Sequence, residues 1–225
     1  MNQTIQIYKM ENKMKKSILF VGAEVMPFAA TGGLGDVLGS LPTALAAKGV
    51  DVRVVMPLYS AVGEKYRAEM KKEAEFTANL AWRAQYCGVY SLQKDKVTYY
   101  FIDNEYYFAR EALYGQFDDG ERYAYFCTAV LEMLPEIGFF PDILHAHDWQ
   151  AALSIPYLNC QYRWRREYQN IKTVFTIHNI EYQGWANASF FDDVLGLPWE
   201  YRGTLDMNNS VNVMKGAIET ADLVT

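Results

Sequence analysis

The sequence predicts an α/β fold built on an open, doubly wound parallel sheet. Short apolar runs with a branched and aromatic bias, beginning with residues 17–23, are typical of strands that are buried on both faces. Between such runs, near both ends of the chain, apolar residues recur at helical spacing, first over residues 34–45. Strand–helix alternation of this kind favours a parallel sheet whose ligands bind at the carboxyl ends of its strands.

The opening of this pattern predicts a strand–helix–strand unit. Residues 17–23 form the first strand and residues 51–56 the second, with the helix of residues 34–45 between them. Proline cannot donate a backbone hydrogen bond, so we expect the helix to kink at Pro42. Gly49 is expected to end it.

The rest of the chain continues with strands and helices. Three closely spaced strand patterns predict an antiparallel insertion or sheet edge, and they lie at residues 76–82, 85–92 and 96–102. A helix over residues 121–137 follows, and Gly138 is expected to end it. The last patterns predict strands at residues 142–147, 172–178 and 221–225, and helices at residues 149–162 and 211–220.

The composition is that of a globular protein. Of the 225 residues, 51% are hydrophobic and 15% aromatic, which supplies a sizeable core. The formal net charge of −6 disfavours nucleic acid or a membrane surface as the main partner, because both attract cationic proteins. The three cysteines form no CxxC pattern, so neither a disulfide framework nor a thiolate metal site is indicated. We therefore expect a cytoplasmic protein.

The two ends of the chain differ in character. Residues 1–16 are polar and lack the apolar core of a secretory signal, so we interpret them as a leader that is a candidate for disorder. Residues 17–225 are interpreted as one domain, without an apolar stretch that approaches the roughly 20 residues of a membrane-spanning helix. The chain ends on what looks like the beginning of a strand, so we expect it to continue naturally.

The three histidines of the chain are predicted near the carboxyl ends of strands. His145 and His147 are two residues apart, so they share one face of a strand, and Asp148 follows them directly. His178 is predicted at the end of the next strand. These residues could face a substrate, or they could be core histidines beside a helix-capping Asp148. A zinc site of three histidines is a less favoured alternative.

Two polar segments follow predicted strands. Residues 30–36, ATGGLGD, join the first strand to the first helix, and glycine there lets the backbone approach a phosphate or sugar at a helix start. Residues 176–184 place amides and an aromatic side chain beside a strand end, which suits a sugar. Plain connecting loops are the alternative for both. The first segment lacks the P-loop lysine and the tight GxGxxG turn, which disfavours an NAD-dependent oxidoreductase.

Three motifs in this order resemble one family, and they are GAEVMPFAATGGLGDVLGSLP at residues 22–42, ILHAHDWQA at residues 143–151 and VFTIHNIEYQG at residues 174–184. They are similar to the N-terminal domain of bacterial glycogen synthases and plant starch synthases, and the likeness extends over residues 17–225. The resemblance implies a Rossmann-like domain that is the N-terminal half of a two-domain GT-B-type glycosyltransferase. The C-terminal nucleotide-binding domain would lie outside this chain.

The resemblance also implies an activity. It is the transfer of glucose from ADP-glucose, or less often UDP-glucose, to the non-reducing end of an α-1,4-glucan with retention of configuration. Neither a metal nor a cofactor is implied, and the expected partners are ADP-glucose, the glucan and the protein's own C-terminal domain. The chain alone is then expected to be inactive. A non-catalytic glucan-binding or regulatory module is the alternative.

Residue roles follow from the same motifs. The resemblance implies catalytic roles for His178 and Asp148 and supporting roles for Glu24 and Asp36. The implied substrate contacts are Thr31, Gly32, Gly33, Tyr114, His147, Asn179 and Gln183. One departure stands out, because the family pattern has lysine where this chain has Ala30. The missing cation leaves the donor affinity and the donor nucleotide open.

Overall fold

An eight-stranded sheet forms the centre of the computed structural model, which describes residues 16–225. The leader predicted at residues 1–16 lies outside this range except for Lys16. The strands in chain order are β1 (Ser17–Val21), β2 (Asp51–Pro57), β3 (Lys71–Leu80), β4 (Arg83–Lys94), β5 (Val97–Asp103), β6 (Ile143–His147), β7 (Lys172–Thr176), β8 (Trp185–Asn187), β9 (Asp206–Met207), β10 (Ser210–Asn212) and β11 (Leu223–Val224). Strands β8, β10 and β9 form a separate three-stranded sheet.

The order of the large sheet is β11-β7-β6-β1-β2-β5-β4-β3. All neighbours from β11 to β5 are parallel, whereas β4 pairs antiparallel with both β5 and β3. The predicted α/β fold and its antiparallel edge are therefore confirmed. The chain passes from β1 to its neighbour β2, continues to the edge strand β3 and comes back through β4 to β5 beside β2, and then crosses to place β6 on the other side of β1. This reversal makes the carboxyl ends of β1 and β6 the switch point, where ligands of such sheets bind.

Helices fill the connections. The α-helices of the described residues are α1 (Gly33–Ala47), α2 (Glu64–Arg67), α3 (Glu105–Phe108), α4 (Asp119–Glu136), α5 (Asp148–Ala152), α6 (Ser154–Tyr157), α7 (Arg202–Leu205) and α8 (Val213–Thr220). Short 3₁₀ turns lie at Arg166–Tyr168 and Trp199–Tyr201, and π-helical turns at Leu158–Tyr162 and Phe191–Leu195. The helices of residues 16–225 include none with the length and apolar character that a bilayer crossing requires.

Several predicted boundaries differ from the structure. The helix predicted over residues 149–162 is divided into α5, α6 and a π-helical turn, and Pro156 within it cannot donate to the preceding turn. The helix predicted from Val211 begins at Val213, because Val211 pairs in the small sheet and the Asn212 side chain accepts from the Lys215 N–H as a cap. Pro42, in contrast, lies inside α1, which continues through it.

Candidate active site at the switch point of the sheet

A cleft of about 920 Å³ opens at the switch point. Its walls combine the loop after β1, the segment before α4, the start of α5 and the loop after β7. Most of the predicted site residues line it, and they are Glu24, Thr31, Gly32, Gly33, Tyr114, Asp148, His178 and Asn179. Segments that are far apart in the sequence therefore meet in one place.

Glu24 organises the glycine-rich loop that follows β1. Its side chain is buried at 4% exposure, and its carboxylate accepts from the Thr31 N–H, the Thr31 hydroxyl at 2.9 Å and the Gly32 N–H at 3.0 Å. The Tyr114 hydroxyl donates to the same carboxylate at 2.7 Å. Both oxygens of Glu24 are thus occupied within the protein. The N–H of Gly32, one of the implied substrate contacts, is occupied with them.

Helix α1 begins at the rim of this loop. Gly32 is its N-cap and has no side chain to cap it. Gly33 and Leu34, the first two residues of this 15-residue helix, line the cleft, so the positive end of the helix dipole lies there. A methyl group added at Gly32 or Gly33 would meet no atom of residues 16–225 within 4 Å. The loop therefore leaves room for a ligand to approach the backbone. Asp36 lies exposed in the first turn and does not line the cleft.

Tyr114 is held in place from behind by helix α4. Arg122, which is fully buried, donates from Nη2 to the Leu113 carbonyl at 3.2 Å, and the Tyr123 hydroxyl donates to the same carbonyl at 2.7 Å. Burial, together with the nearby Tyr123 and Glu24, raises the pKa of Tyr114. Tyr114 therefore stays protonated and continues to donate to Glu24.

Asp148 connects the ends of β6 and β7. Its Oδ1 accepts from the His178 N–H at 2.7 Å and the Asn179 N–H at 3.2 Å. Its backbone has φ of +57°, a left-handed conformation that costs roughly 1–2 kcal/mol for most residues but that aspartate adopts more readily. The helix-capping alternative is wrong in one respect, since His147 is the N-cap of α5 and Asp148 binds the neighbouring loop. Its Oδ2 has no hydrogen bond to the described part of the chain.

The three histidines form a stack behind the cleft. The ring centroids of His145 and His147 are 4.1 Å apart, and those of His147 and His178 are 5.2 Å apart. His147 is 1% exposed and does not line the cleft, unlike His178. Burial lowers the pKa of His147 well below its usual value, and burial together with His178 lowers the pKa of His145 to about 4.

The geometry does not favour the zinc alternative. His147 Nδ1 lies 2.8 Å from His178 Nε2, and His145 Nε2 lies 2.7 Å from the Thr176 hydroxyl. These three ring nitrogens are therefore used in hydrogen bonds, two of them between histidines and one with Thr176. Over residues 16–225, no three side chains of the metal-ligating types are placed to hold one ion.

An aromatic groove of about 330 Å³ adjoins the cleft. Trp149, Tyr182 and Asp119 line both spaces. Gln183 lines the groove rather than the cleft, and its Oε1 accepts from Asn212 at 2.6 Å. The other aromatic side chains of the groove are Phe117, Trp185 and Phe190.

Sequence reasoning left several lining residues unassigned. Trp149 lies inside a quoted motif, so its position beside Asp148 was a usable signal, whereas Tyr182 is the aromatic side chain that residues 176–184 were already expected to offer to a sugar. Asp119 and Gly115 had no such signal, because they reach the cleft only through the packing of α4. Among the described residues that line the cleft, three are carboxylates, Glu24, Asp119 and Asp148, and none is a lysine or arginine.

Comparison with known proteins gives a consistent result. Residues 17–225 match the family described as starch synthase catalytic domain. A glycogen synthase from Geobacillus thermodenitrificans (strain NG80-2) is 48% identical over 210 residues, covering 92% of this chain and 43% of that protein. One from Streptococcus agalactiae serotype III (strain NEM316) is 51% identical over 211 residues, covering 92% and 44%. The chain thus spans less than half the length of these relatives.

A solved structure is also similar. It is the catalytic domain of starch synthase IV from Arabidopsis thaliana bound to ADP and acarbose, with a TM-score of 0.84 and 30% sequence identity. The match covers 93% of this chain and 44% of that chain.

Proposed function

Since the chain belongs to the starch synthase catalytic-domain family, as its motifs predicted, we propose that it forms the N-terminal half of a retaining glucosyltransferase. The complete protein transfers glucose from ADP-glucose to the non-reducing end of an α-1,4-glucan. The convergence of the family motifs on one cleft at the switch point carries this proposal. The similar starch synthase IV was solved with ADP and acarbose, which supports a nucleotide and a glucan as ligands.

The donor diphosphate lies at the start of α1. The uncapped N–H groups of the first turn and the helix dipole both favour phosphate oxygens there. Thr31 and Gly33 flank this position. The Gly32 N–H donates to Glu24 and is not available to the phosphate. Gly32 instead contributes open space for the phosphate, because it has no side chain there. Glu24 and Tyr114 act indirectly, by holding the loop in shape.

The glucosyl unit lies between the two loops, beside Asp148 and His178. The unused Oδ2 of Asp148 can accept from a sugar hydroxyl, while its Oδ1 fixes the backbone of His178 and Asn179. Positive charge develops on the sugar ring as the bond to the diphosphate breaks. A carboxylate that is already held in position stabilises that charge without reorganising. These two residues therefore act on the transition state.

The acceptor glucan extends from the cleft into the aromatic groove. Sugar rings have apolar faces and polar edges, so they pack on aromatic side chains while their hydroxyls bind amides and carboxylates. Tyr182 and Trp185 are 63% and 51% exposed, which leaves their rings accessible, and Gln183 lies between them in the chain.

The cations that neutralise the diphosphate come from a second domain. The cleft offers carboxylates but no lysine or arginine from residues 16–225, and the relatives are more than twice as long as the matched region. The diphosphate leaves beside three carboxylates as glucose is transferred, so its negative charge needs such cations. Residues 1–225 alone are therefore expected to fold without transferring glucose.

The three cysteines are free, which agrees with a cytoplasmic location.

Glucose incorporation into glycogen tests the proposal. The complete protein is supplied with labelled ADP-glucose and, in parallel, labelled UDP-glucose, and residues 1–225 serve as the matched control. We expect incorporation by the complete protein, faster from ADP-glucose, and none by the control. A complete protein that binds glycogen but incorporates neither label would be the non-catalytic glucan-binding module instead.

A further inference from the structure

The contact between His147 and His178 links a buried side chain to one that lines the cleft. Nδ1 of His147 lies 2.8 Å from Nε2 of His178, and the two rings are nearly parallel, with an interplanar angle of 20°. His147 is held on its other side by the rings of Phe20 and His145. A ring packed in this way cannot turn away from its partner.

One proton lies between the two histidines, in the hydrogen bond that one ring donates to the other. His147 is buried among apolar and histidine rings, which disfavours its charged form and lowers its pKa. A neutral pair has two arrangements. In the first, His147 Nδ1–H donates to His178 Nε2, and His178 carries its own proton on Nδ1. In the second, His178 Nε2–H donates, and His147 carries its proton on Nε2.

The buried edge of His147 distinguishes these arrangements. Its Nε2 is shielded from solvent and has no hydrogen-bond partner within residues 16–225. The second arrangement would leave an N–H donor there without an acceptor. The first leaves only an unused lone pair, and among backbone groups an unpaired buried donor is the rarer of the two cases. The first arrangement is therefore favoured.

We propose that His147 is a positioning residue, which holds the proton of His178 on Nδ1 so that this nitrogen offers an N–H to a sugar oxygen in the cleft. This inference rests on the proposed function only for the identity of the ligand. The remaining part, that His147 sets the tautomer of His178, is a property of the free protein. His147 itself touches no substrate.

Nitrogen NMR of the ring atoms measures the tautomer directly. The chain has only 3 histidines, so selective labelling of histidine in residues 1–225 gives a spectrum that single substitutions can assign. Near neutral pH we expect His178 Nδ1 to have the shift of a protonated ring nitrogen and Nε2 that of an unprotonated one. A proton on Nε2, or shifts averaged between the two nitrogens, would overturn the proposal.

Two substitutions at position 147 separate the hydrogen bond from the packing. His147→Phe keeps a ring against Phe20 but removes the donor, and we expect averaged shifts at His178. His147→Asn places an amide N–H close to the position of Nδ1 and should restore the wild-type tautomer. His145→Phe, in the same stack but without a hydrogen bond to His178, is the matched control and should leave the tautomer unchanged. Wild-type shifts in His147→Phe would contradict the proposal.

Kinetics of the complete protein provide the second readout. His147→Phe should lower kcat about 10-fold, the rate equivalent of one lost hydrogen bond, with KM for ADP-glucose within about 2-fold of wild type. His147→Asn should recover most of that loss. Equal losses in both variants would show a purely structural role. Absence of transfer in the wild-type protein would instead refute the proposed function, and the NMR result would still decide the role of His147.

Discussion

The loops on the two sides of the cleft are both held by a buried carboxylate, but the two carboxylates are used differently. Glu24 uses both oxygens within its own side of the cleft, on the loop after β1 and on Tyr114. Asp148 uses one oxygen to bind the loop after β7, and its other oxygen has no hydrogen bond to residues 16–225. This difference supports the proposal that Glu24 shapes the donor loop, whereas Asp148 also acts on the reacting sugar.

Substitution of Asp148 should have the largest effect. In the complete protein, Asp148→Ala removes both the free oxygen and the backbone clamp, and we expect kcat to fall on the order of 10²-fold with a smaller rise in KM. His178→Ala should behave in the same way. Steady-state kinetics with ADP-glucose and glycogen check this. Near-normal kcat in both variants would show that these residues only support the core and do not act on the substrate.

Acid stability should distinguish the two sides next, because only the side of Asp148 is backed by neutral histidines. The pKa of His145 is lowered to about 4, below its value in the unfolded chain. Its contribution to the free energy of unfolding is therefore present above the unfolded pKa and is lost as the pH falls from about 6.5 to about 4. The free energy of unfolding is then lower by about 2 kcal/mol at about pH 5, because the unfolded chain binds a proton that the folded one does not.

Chemical denaturation of residues 1–225 at a series of pH values measures this dependence. His145→Asn should flatten the curve of unfolding free energy between about pH 6.5 and pH 4. An unchanged slope in His145→Asn would assign the acid sensitivity to other groups.

Glu24→Gln should act on the donor rather than on the chemical step. The Thr31 and Gly32 N–H groups both donate to Oε2, and the single oxygen of the amide can still accept from them. The amide nitrogen then replaces Oε1, which accepts from the Thr31 and Tyr114 hydroxyls, so these two hydrogen bonds are lost and the loop is held less firmly. We expect the Kd or KM for ADP-glucose to rise about 10-fold with kcat changed by less. Tyr114→Phe removes one hydrogen bond from the same carboxylate and should show a smaller rise. A dominant loss of kcat would contradict the assignment.

The smallest effect is expected at Ala30, at the edge of the donor loop. The family pattern has lysine there, and an ammonium near a diphosphate contributes roughly 1–3 kcal/mol, less after screening by salt. Ala30→Lys in the complete protein should therefore tighten ADP-glucose binding by a few-fold, with a gain that shrinks as salt rises. Titration at two salt concentrations checks this. Unchanged or weaker binding would show that another group already occupies that position.

The large sheet and the small three-stranded sheet differ in how much of them could be predicted from the sequence. Periodicity located β1, α1, β2 and β6, and the predicted α/β fold follows from those local patterns. Strands β8 to β10 were missed, because each is two or three residues long, and β10 pairs with β8 from a distant part of the chain. Local patterns cannot report such pairings.

The same limit applies to the candidate site. Motifs identified Glu24, Asp148 and His178, but the bonds between them span 90 residues in the case of Tyr114 and Glu24 and 30 in the case of Asp148 and His178. The sequence therefore gave no indication that Glu24 occupies the Gly32 N–H. Nor did it indicate that His147 lies buried behind His178. Both facts depend on tertiary packing at the switch point.

A double-mutant cycle between Glu24→Gln and Asp148→Ala tests the division of tasks most directly. The measured quantity is kcat/KM for ADP-glucose in the wild-type complete protein, each single variant and the double variant. Glu24 and Asp148 share no hydrogen-bond partner among the described residues, so we predict losses that multiply, with a coupling below about 0.5 kcal/mol. A double variant no slower than Asp148→Ala alone would show one shared task and contradict the account.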